Sequence, residues 1–379
     1  METKLLNGNN KEAIAEASKI LQDGGLVAFP TETVYGLGAD ALNADAAAKI
    51  YAAKGRPSDN PLIVHIADTD AVEKLADLET MNRTHPDMVK KAHMLMEAFW
   101  PGPLTIIFPK LAIVPDGTTG GLPTVAIRMP SHPIAQELIR TSGVSIAAPS
   151  ANTSGRPSPT TAQHVWEDMD GRIEMILDGG AVGIGIESTI VDMTGKIPTI
   201  LRPGFITKTM LSEIVGDVTI DPAIIEPDPN LRPKAPGMKY THYAPHGTLS
   251  IVEAVADESA NRASLHSGVK VSYNATEAET LRVAEKIKAL VNEKEAQGYK
   301  VAILTTKEHA SLYKNYSHVL IVGEGSKGQT ISARLYAALR ECDSEQMEYM
   351  YSEAFDQNEL GGAIMNRLLK AAGHRVITV

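Results

Sequence analysis

The stretch that decides the fold reads Ala44-Asp-Ala-Ala-Ala-Lys-Ile-Tyr-Ala-Ala-Lys54, then Gly55-Arg-Pro-Ser-Asp-Asn-Pro61, then Leu62-Ile-Val-His-Ile66. The alanine-rich segment predicts a helix that must end near Lys54, because the residue before a proline disfavours helical backbone angles. The short apolar segment that follows predicts a buried strand. A helix, a Gly/Pro loop and a buried strand in immediate succession indicate an α/β fold.

The same alternation of helix and strand patterns continues on both sides of this stretch. A helix is predicted from Lys11 to Asp23, and it ends at Gly24-Gly25 because glycine suits a helix C-terminus. Two more helices are predicted over Ile134–Arg140 and Ala162–Asp168, and strands over Leu26–Pro30, Leu104–Phe108, Thr124–Arg128, Val144–Ala148, Glu187–Asp192 and Thr199–Arg202. We therefore expect residues 1–212 to form one domain, a twisted open mixed sheet with helices.

Residues 213–247 differ in composition from the preceding domain, because prolines recur between Pro222 and Pro245. Proline restricts the backbone, so this segment is expected to be a semi-rigid linker. A passive spacer has little use for the two tyrosines and the histidine of Tyr240-Thr-His-Tyr243.

From residue 248 to residue 379 the alternation of strands and helices returns. Strands are predicted at Leu249–Val252, Val301–Leu304 and Val319–Val322, and helices at Thr276–Glu295 and Ile331–Glu341. This pattern predicts a second, smaller α/β domain of the Rossmann-like type.

Composition narrows the class of protein. The chain has 379 residues, of which 43% are hydrophobic, and a formal net charge of -10. This charge argues against a general nucleic-acid coat or a polybasic membrane anchor, and it leaves room for a local basic cleft. The single Cys342 excludes an internal disulfide and a cysteine-based zinc site. Because neither a signal-peptide core nor an apolar run of membrane-spanning length is found, we expect a cytoplasmic protein with no membrane partner.

Two loops carry the residue types of an anion site. The segments Lys54-Gly-Arg-Pro-Ser-Asp-Asn-Pro61 and Ser150-Ala-Asn-Thr-Ser-Gly-Arg-Pro157 each combine positive charge, small hydroxyl or amide side chains, glycine and proline. Arginine offers a planar fork for phosphate oxygens, and lysine offers a compact charge. Glycine lets backbone amides approach an anion closely. The two loops together predict a nucleotide site.

Other motifs are ambiguous when each is considered alone. Gly323-Glu-Gly-Ser-Lys-Gly328 matches the dinucleotide pattern G-x-G-x-x-G, but too little chain follows it for two mononucleotide halves, so we interpret it as a plain Gly-rich turn. Pro30-Thr-Glu-Thr-Val-Tyr-Gly-Leu-Gly38 fits a functional loop and an ordinary strand-to-loop turn ending in glycines equally well. By residue pattern alone, His65 fits a hydrogen-bonded core histidine, and His242 and His246 fit solvated side chains.

The motifs in their order resemble the YrdC/Sua5 family. The resemblance is carried by Pro30–Asp40, Lys54–His65, Trp100–Thr105, Thr124–Pro130, Ala148–Asn152, Glu187–Asp192 and Leu201–Gly204, and it covers about residues 10–212. Two further segments are similar to the linker and the C-terminal domain of the two-domain Sua5 form, namely Ala235–Pro245 and Gly361–Leu368. The resemblance therefore implies a YrdC-like catalytic domain over 1–212, a linker that acts as a lid over 213–247, and a Sua5-type C-terminal domain over 248–379.

The resemblance also implies an enzyme, an L-threonylcarbamoyladenylate synthase. The family forms threonylcarbamoyl-AMP and pyrophosphate from L-threonine, bicarbonate or CO2, and ATP. Mg²⁺ is expected with the ATP, and the resemblance names no protein ligand for it. The product serves the N6-threonylcarbamoyl modification of adenosine in tRNA, so tRNA and a downstream threonylcarbamoyl transferase complex are candidate partners.

Individual site residues follow from the motif match. The phosphates and the carbamate would be surrounded by Lys54, Arg56, Ser150 and Asn152. The ATP contacts would comprise Arg56 and Ser150 together with Asn60, Thr124, Ser158 and Arg202. Threonine would be held by Thr33, His65, Arg128, the backbone of Ala148, and Ser188. Arg128 is the best candidate for the threonine carboxylate, and Tyr240 or Tyr243 would bring the linker over the nucleotide.

Two other functions remain open at this point. One is the formation of carbamoyl adenylate by an enzyme of the hydrogenase-maturation type, although such enzymes carry acylphosphatase and zinc-finger regions that this chain lacks. The other is a module that binds double-stranded RNA or tRNA on a concave basic face, against which the net negative charge weighs.

Overall fold

The chain folds as two units, each built on a β-sheet of its own. The computed structural model describes residues 2–224, 233–236, 242–255, 263–266, 269–272, 276–355 and 360–379. The first unit comprises Met1–Ser154 and Ser158–Tyr240, and the second comprises Gly155–Pro157 and Thr241–Val379. The division after residue 240 falls within the predicted linker.

The first unit contains an 11-stranded mixed sheet. Its strands are β1 (Lys4–Asn7), β2 (Val27–Phe29), β3 (Gly36–Asp40), β4 (Ile63–His65), β5 (Leu104–Pro109), β6 (Thr124–Arg128), β7 (Ile146–Ala148), β8 (Met175–Asp178), β9 (Thr189–Asp192), β10 (Thr199–Arg202) and β11 (Thr219–Ile220). They lie in the order β1-β8-β2-β3-β7-β4-β6-β5-β9-β10-β11. The sheet thus continues beyond residue 212 to β11.

Helices cover both faces of this sheet. They are α1 (Lys11–Gln22), α2 (Ala44–Lys54), α3 (Leu78–Thr84), α4 (Pro86–Phe99), α5 (Asp116–Thr119), α6 (Pro133–Ser142), α7 (Ala162–Met169) and α8 (Lys208–Val215), with 3-10 turns at Thr69–Lys74 and Pro222–Ile224. Helices α1 and α6 pack on one face near β2 and β7. Helices α2, α4, α7 and α8 pack on the opposite face. The expected mixed α/β sheet is confirmed.

Local sequence sets the bounds of α2, the helix that leads into the first anion-type loop. The Asn43 side chain accepts hydrogen bonds from the backbone amides of Asp45 and Ala46, which caps the N-terminus. Gly55 ends the helix in the left-handed conformation, with φ of 62°. Lys54 is therefore the last helical residue, and it is buried.

The prediction that Pro30–Gly38 ends in a Gly-rich turn was wrong, because Gly36 and Gly38 lie in β3. A Cβ atom on Gly38 would lie 2.7 Å from Ile146 Cγ2 and 2.8 Å from a ring carbon of Phe29. The glycines therefore permit close packing of β3 within the sheet. They resemble a turn in the sequence, but they are there because a Cβ atom would not fit.

One face of the central strands carries both an apolar cluster and the predicted site residues. The apolar cluster consists of Ile63, Ile107, Ala126, Ile190, Leu201 and Ala235. Side chains alternate between the two faces of a strand, so residues two positions apart lie on the same face. His65 therefore shares the face of Ile63, and Arg128 shares the face of Ala126. The core of the unit therefore borders directly on polar groups.

The second unit is built on a parallel five-stranded sheet in the order β16-β15-β17-β12-β18. Its strands are β12 (Thr248–Glu253), β15 (Val301–Thr305), β16 (Val319–Ile321), β17 (Tyr349–Glu353) and β18 (Val376–Thr378), and β13 (Ala263–His266) and β14 (Val269–Ser272) form a separate hairpin. The helices are α9 (Glu277–Ala296), α10 (Gly328–Ser344) and α11 (Leu360–Ala371), with a 3-10 turn at Ala310–Tyr313.

Parallel strands joined by helices confirm the Rossmann-like class expected for this region. At the N-terminus of α9, Thr276 and Glu279 form a reciprocal capping box, which is a sequence pattern typical of a helix start. Among the helices that the structure describes in either unit, none is long and apolar enough to cross a membrane.

Candidate active site

A row of side chains crosses five neighbouring strands of the first unit. His65 in β4 is the register partner of Arg128 in β6, and Arg128 is also the partner of Thr105 in β5. Thr105 is opposite Ile190 in β9, and Ile190 is opposite Arg202 in β10. Neighbouring strands are about 4.8 Å apart, so this row extends over roughly 19 Å. That length accommodates an amino acid beside a nucleotide.

Arg128 is held on three sides. Its Nη1 donates to Thr33 Oγ1 at 2.9 Å, its Nη2 donates to Glu32 Oε1 at 2.6 Å, and its Nε donates to the Gly102 carbonyl oxygen at 3.3 Å. Only 4% of Arg128 is exposed. These three hydrogen bonds fix the orientation of the guanidinium. Removing either partner of the buried ion pair would leave an uncompensated charge, which is strongly destabilising.

Glu32 contacts a predicted site residue, although the residue-by-residue motif match left it without a role. Its Oε2 accepts a hydrogen bond from the Ser131 backbone amide at 3.1 Å, so this carboxylate links the loop before β3 to the segment after β6. The only sequence signal was its place between two threonines in the Pro30–Gly38 motif. That signal does not reveal that Arg128 would be its partner, because the two are 96 residues apart.

The hydroxyl of Thr33 faces the site with its hydrogen already engaged. Thr31 Oγ1 donates to the Val34 carbonyl oxygen at 2.7 Å and lies 2.8 Å from Thr33 Oγ1. Since the single hydrogen of Thr31 is used, Thr33 is the donor in the bond between the two hydroxyls. Thr33 also accepts from Arg128, so toward a ligand it offers the remaining lone pair.

His65 is both buried in the core and in line with the predicted threonine contacts. Burial, followed by the charge of Arg128, lowers the pKa of His65 to about 3, so the ring is neutral at physiological pH. Its Nδ1 lies 3.0 Å from the Ile63 carbonyl oxygen, and the backbone of Ile146 is a second hydrogen-bond partner of the ring. Its ring meets Phe29 edge to face at 6.0 Å between centroids.

A predicted threonine contact and a predicted ATP contact are bonded to each other. Arg202 Nη2 donates to Ser188 Oγ at 3.1 Å, and Arg202 Nε donates to the Ser188 carbonyl oxygen at 3.1 Å. A Cβ atom at Gly204 would lie 2.5 Å from the Thr189 backbone nitrogen, so the glycine allows this close approach of two backbone segments. Thr105 Oγ1 lies 2.8 Å from Ser188 Oγ and joins the same network.

The two anion-type loops face each other across Lys54. Its ammonium donates to the Ser150 carbonyl oxygen at 2.6 Å and also to the Asn152 carbonyl oxygen. Ser150 Oγ donates to Asn152 Oδ1 at 2.5 Å. Ala148 ends β7 just before this loop and is the register partner of Ile63. The predicted set of Lys54, Ser150 and Asn152 is thus brought together, and Lys54 shapes the backbone of the second loop.

Three predicted ATP contacts lie near the start of β4 and β6. Arg56 donates from Nη2 to the Pro61 carbonyl oxygen at 3.2 Å and from Nε to the Asn60 carbonyl oxygen at 3.4 Å. Asn60 is 1% exposed, and its Oδ1 has no hydrogen-bond partner in the described part of the chain. Thr124 opens β6, four residues before Arg128, which places it about 13 Å from that arginine along the strand.

Ser158 is tied to the segment that precedes β9. Its Oγ donates to Glu187 Oε1 at 2.6 Å, and both residues are buried. Glu187 was recognised as part of a motif without an assigned role. The structure indicates that its carboxylate fixes Ser158 next to Ser188.

The two linker tyrosines were predicted to cover the nucleotide. Tyr240 lies outside the described residues. Tyr243 belongs to the second unit, where it is buried and stacks on Tyr336 with 5.2 Å between ring centroids. The role of either tyrosine as a lid over the nucleotide stays a prediction.

In the G-x-G-x-x-G segment of the second unit, two backbone amides donate to side chains outside the segment. The Gly325 amide donates to Glu308 Oε2 at 2.8 Å, and the Glu324 amide donates to Thr330 Oγ1 at 2.8 Å. A cavity of about 460 Å³ lies beside the loop and is lined in part by Phe355 and Leu360. An anion would have to displace the Glu308 carboxylate, which agrees with the interpretation of a Gly-rich turn.

Comparison with known proteins identifies the relatives of both units. The Sua5/YciO/YrdC family model, described as telomere recombination, matches residues 19–204, and a family model described as the C-terminal domain of threonylcarbamoyl-AMP synthase matches residues 206–373. The chain is 46% identical to the threonylcarbamoyl-AMP synthase of Bacillus subtilis, over 97% of this chain and 95% of that protein.

Relatives from archaea are similar in sequence and in fold. The chain is 41% identical to the threonylcarbamoyl-AMP synthase of Pyrococcus abyssi, over 98% of both chains. The crystal structure of P. abyssi Sua5 complexed with L-threonine matches with a TM-score of 0.84 and 40% identity, over 100% of both chains. These matches show that the chain belongs to the YrdC/Sua5 family, in its two-domain Sua5 form.

Proposed function

We propose that this chain is a threonylcarbamoyl-AMP synthase, which forms L-threonylcarbamoyl-AMP and pyrophosphate from L-threonine, bicarbonate or CO2, and ATP. Relatives of matching length carry that name. The observation that carries the proposal is the direct bond between Ser188, a predicted threonine contact, and Arg202, a predicted ATP contact. Two substrates that must react with each other need adjacent sites.

The chemistry explains why the site combines fixed positive charge with a buried sheet face. The amine of threonine adds to CO2 to give a carbamate, and a proton is released. A carbamate oxygen then attacks the α-phosphorus of ATP, and the bond to pyrophosphate breaks. Both reactants are anions, so their approach requires cationic and hydrogen-bonding groups in a site from which water is largely excluded.

Arg128 is the group best placed to anchor the amino acid. It is oriented by Glu32, Thr33 and Gly102, and a guanidinium binds a carboxylate through two parallel hydrogen bonds. Thr33 Oγ1 then offers a lone pair to an N–H or O–H group of threonine. The loop of Ser150 and Asn152 would contact the phosphates and the carbamate, with Lys54 holding its backbone in shape.

Mg²⁺ is proposed to enter with the triphosphate, whose charge it neutralises when bound. Mg²⁺ prefers oxygen ligands and is commonly held by substrate phosphates. Neutral oxygens of Ser150 and Asn152 are compatible with such an ion, and Lys54 and Arg56 add positive charge. Across the described ranges, no group of three or more His, Cys, Asp or Glu residues is arranged to hold a metal.

The product is a mixed anhydride, which must be consumed by an acceptor nucleophile. We propose that a separate threonylcarbamoyl transferase complex passes the group to adenosine in tRNA, and that the chain acts in the cytoplasm, where these partners are found. Direct docking of tRNA or of the transferase is part of this proposal.

The decisive experiment measures pyrophosphate release from ATP by the purified full chain. We expect release to require both L-threonine and bicarbonate, and mass spectrometry to detect threonylcarbamoyl-AMP. Reactions that lack either co-substrate serve as controls. If neither co-substrate stimulates release, the proposed function is wrong.

A filter-binding assay with tRNA and a salt titration tests the RNA-binding alternative. Binding that is tight in the absence of the other substrates and that weakens steeply with salt would favour that role. Carbamoyl phosphate as the substrate for AMP transfer would favour the hydrogenase-maturation chemistry.

A further inference from the structure

We propose that Thr105 is a positioning residue that makes Ser188 a hydrogen-bond donor to the carboxylate of the bound amino acid. The proposal rests on the proposed function, since it concerns the amino-acid substrate of that same site. Its starting point is the location of each hydrogen in a buried network of two hydroxyls and one guanidinium.

The hydrogen of Thr105 has one acceptor within reach. Thr105 is fully buried, and in the part of the chain that the structure describes its hydroxyl contacts Ser188 Oγ, at 2.8 Å. If Ser188 were the donor, the hydroxyl hydrogen of Thr105 would be buried without an acceptor, which costs about 1–3 kcal/mol. Thr105 is therefore the donor, and Ser188 is the acceptor.

The acceptor capacity of Ser188 Oγ is then used in full. A hydroxyl oxygen has two lone pairs. One receives the hydrogen of Thr105, and the other receives a hydrogen from Arg202 Nη2 at 3.1 Å. The hydroxyl hydrogen of Ser188 is left over, so toward a ligand Ser188 can only donate.

The charges around Ser188 select an anionic acceptor for that hydrogen. The guanidinium of Arg202 bonds to Ser188 directly, and Arg128 is the register partner of Thr105 on the neighbouring strand. A hydroxyl donor that is bonded to one arginine, with a second arginine on the strand next to Thr105, favours an oxygen with negative charge. With Arg128 oriented by Glu32 and Thr33, the carboxylate of the amino acid is the anion expected beside this row.

The experiment compares L-threonine binding to full-length wild type, Thr105→Val and Thr105→Ser by isothermal titration calorimetry without ATP. Valine has the shape of threonine and suits a buried strand, so Thr105→Val is expected to fold, which its thermal unfolding curve checks. We expect the Kd for L-threonine to rise roughly tenfold in Thr105→Val and to return to near wild type in Thr105→Ser. The Kd for ATP should stay close to wild type.

Two further measurements separate positioning from a general loss of structure. L-threonine amide lacks the carboxylate, so we expect it to bind more weakly than L-threonine. Its Kd should be the same for wild type and for Thr105→Val. Thr3→Val is the matched control, because Thr3 is also buried and its hydroxyl donates to the Ile173 carbonyl oxygen at 2.7 Å. Its affinity for L-threonine should equal that of wild type.

The possible results either support or overturn the proposal. An unchanged Kd in Thr105→Val, a Thr105→Ser variant as weak as Thr105→Val, or a loss confined to ATP would each overturn it. A wild-type protein that binds no L-threonine would also overturn it. Failure of the proposed function is recognised separately, because it abolishes threonine-dependent pyrophosphate release in wild type, whereas failure of this proposal leaves that release intact.

Discussion

The two sheets of this chain arrange their buried polar groups in different ways. In the second unit Glu353 accepts hydrogen bonds from Thr305 at 3.0 Å and from Tyr313 at 2.8 Å, and it pairs with His309 at 2.9 Å. In the first unit the network of Thr105 and Ser188 leaves a donor hydrogen for a further partner. A polar network that is closed on itself stabilises a fold, and one that is incomplete has capacity for a ligand.

The largest expected effect is on the open network of the first unit. Arg128→Met removes the carboxylate anchor and leaves Glu32 unpaired, so we expect kcat/KM for L-threonine to fall by roughly thirtyfold or more. Steady-state kinetics of pyrophosphate release checks this. Arg375→Met is the control in the second unit, where Arg375 donates to the Leu249 carbonyl oxygen. An unchanged KM for L-threonine in Arg128→Met would contradict the assigned role.

A matched pair of glycine substitutions tests how tightly each unit is packed. Gly38→Ala forces a Cβ to within 2.8 Å of Ile146 and Phe29, and we expect it to destabilise the first unit by about 1–3 kcal/mol. Gly325→Ala meets its nearest atom, Glu308 Oε2, at 3.4 Å and should change stability little. Urea unfolding followed by tryptophan fluorescence reports the first unit, because Trp100 and Trp166 both lie there.

The behaviour of Gly325→Ala also sharpens the interpretation of the second unit's loop. If that loop bound a dinucleotide, the added methyl group would interfere with close approach of the ligand. Equal pyrophosphate release by wild type and Gly325→Ala is the expected result. A selective loss of activity in this variant would contradict the assignment of the loop as a simple turn.

Glu253 differs from the closed network around Glu353 in the second unit. It is 2% exposed, and within the described residues neither carboxyl oxygen has a hydrogen-bond partner. Burial raises the pKa of Glu253 from 4.5 to about 7. The unfolded chain therefore loses this proton at lower pH than the folded chain, and the stability of the second unit falls as pH rises from 4.5 to 7.

Glu253→Met should remove this decline, because an apolar side chain of similar volume has no charge to bury. We expect the second unit to gain about 1–2 kcal/mol above pH 7. Hydrogen exchange of β12 and β17 amides at several pH values measures it. A variant less stable than wild type at pH 8 would show that the carboxylate has a partner that stabilises it.

His65 contributes a pH dependence whose sign is opposite to that of Glu253. Its pKa is lowered to about 3, so between pH 6.5 and 3 the unfolded chain binds a proton that the folded chain does not. The stability of the first unit therefore falls as pH decreases through this window, with a slope of at most about 1.4 kcal/mol per pH unit. His65→Gln should flatten this slope in fluorescence-detected unfolding. An equally steep slope in the variant would assign the pH dependence to other groups.

Just over half of the described strands and helices were predicted, because their patterns are local. The helix over Ala44–Lys54 and the strand over Thr124–Arg128 have the predicted bounds. The strand β3 could not be predicted. Its Gly38 is required by close contact with Phe29 and Ile146, and these residues lie outside the local sequence pattern. Helices α3, α4, α5, α8 and α11 and strands β1, β8, β11, β13, β14, β17 and β18 were also missed.

The site was predicted in part, for a related reason. Ordered motifs predicted roles for Lys54, Arg128, Ser188 and Arg202 in binding the substrates. Neither Glu32 nor Thr105 was assigned a role, because each bonds to a partner that is distant in the sequence, 96 residues away for Glu32 and 83 for Thr105. Pairing at such separations is set by strand order and register.

By itself, the sequence determined the α/β class, the two-part organisation of the family and the chemical character of the site, because helix periodicity, loop residues and motif order are all local properties. Only the tertiary structure decided which hydroxyl donates, which carboxylate orients Arg128 and why Gly38 lies in a strand. The physical reason is that hydrogen-bond direction and steric contact depend on atoms brought together by the sheet, and their distances in space cannot be obtained from their distances along the chain.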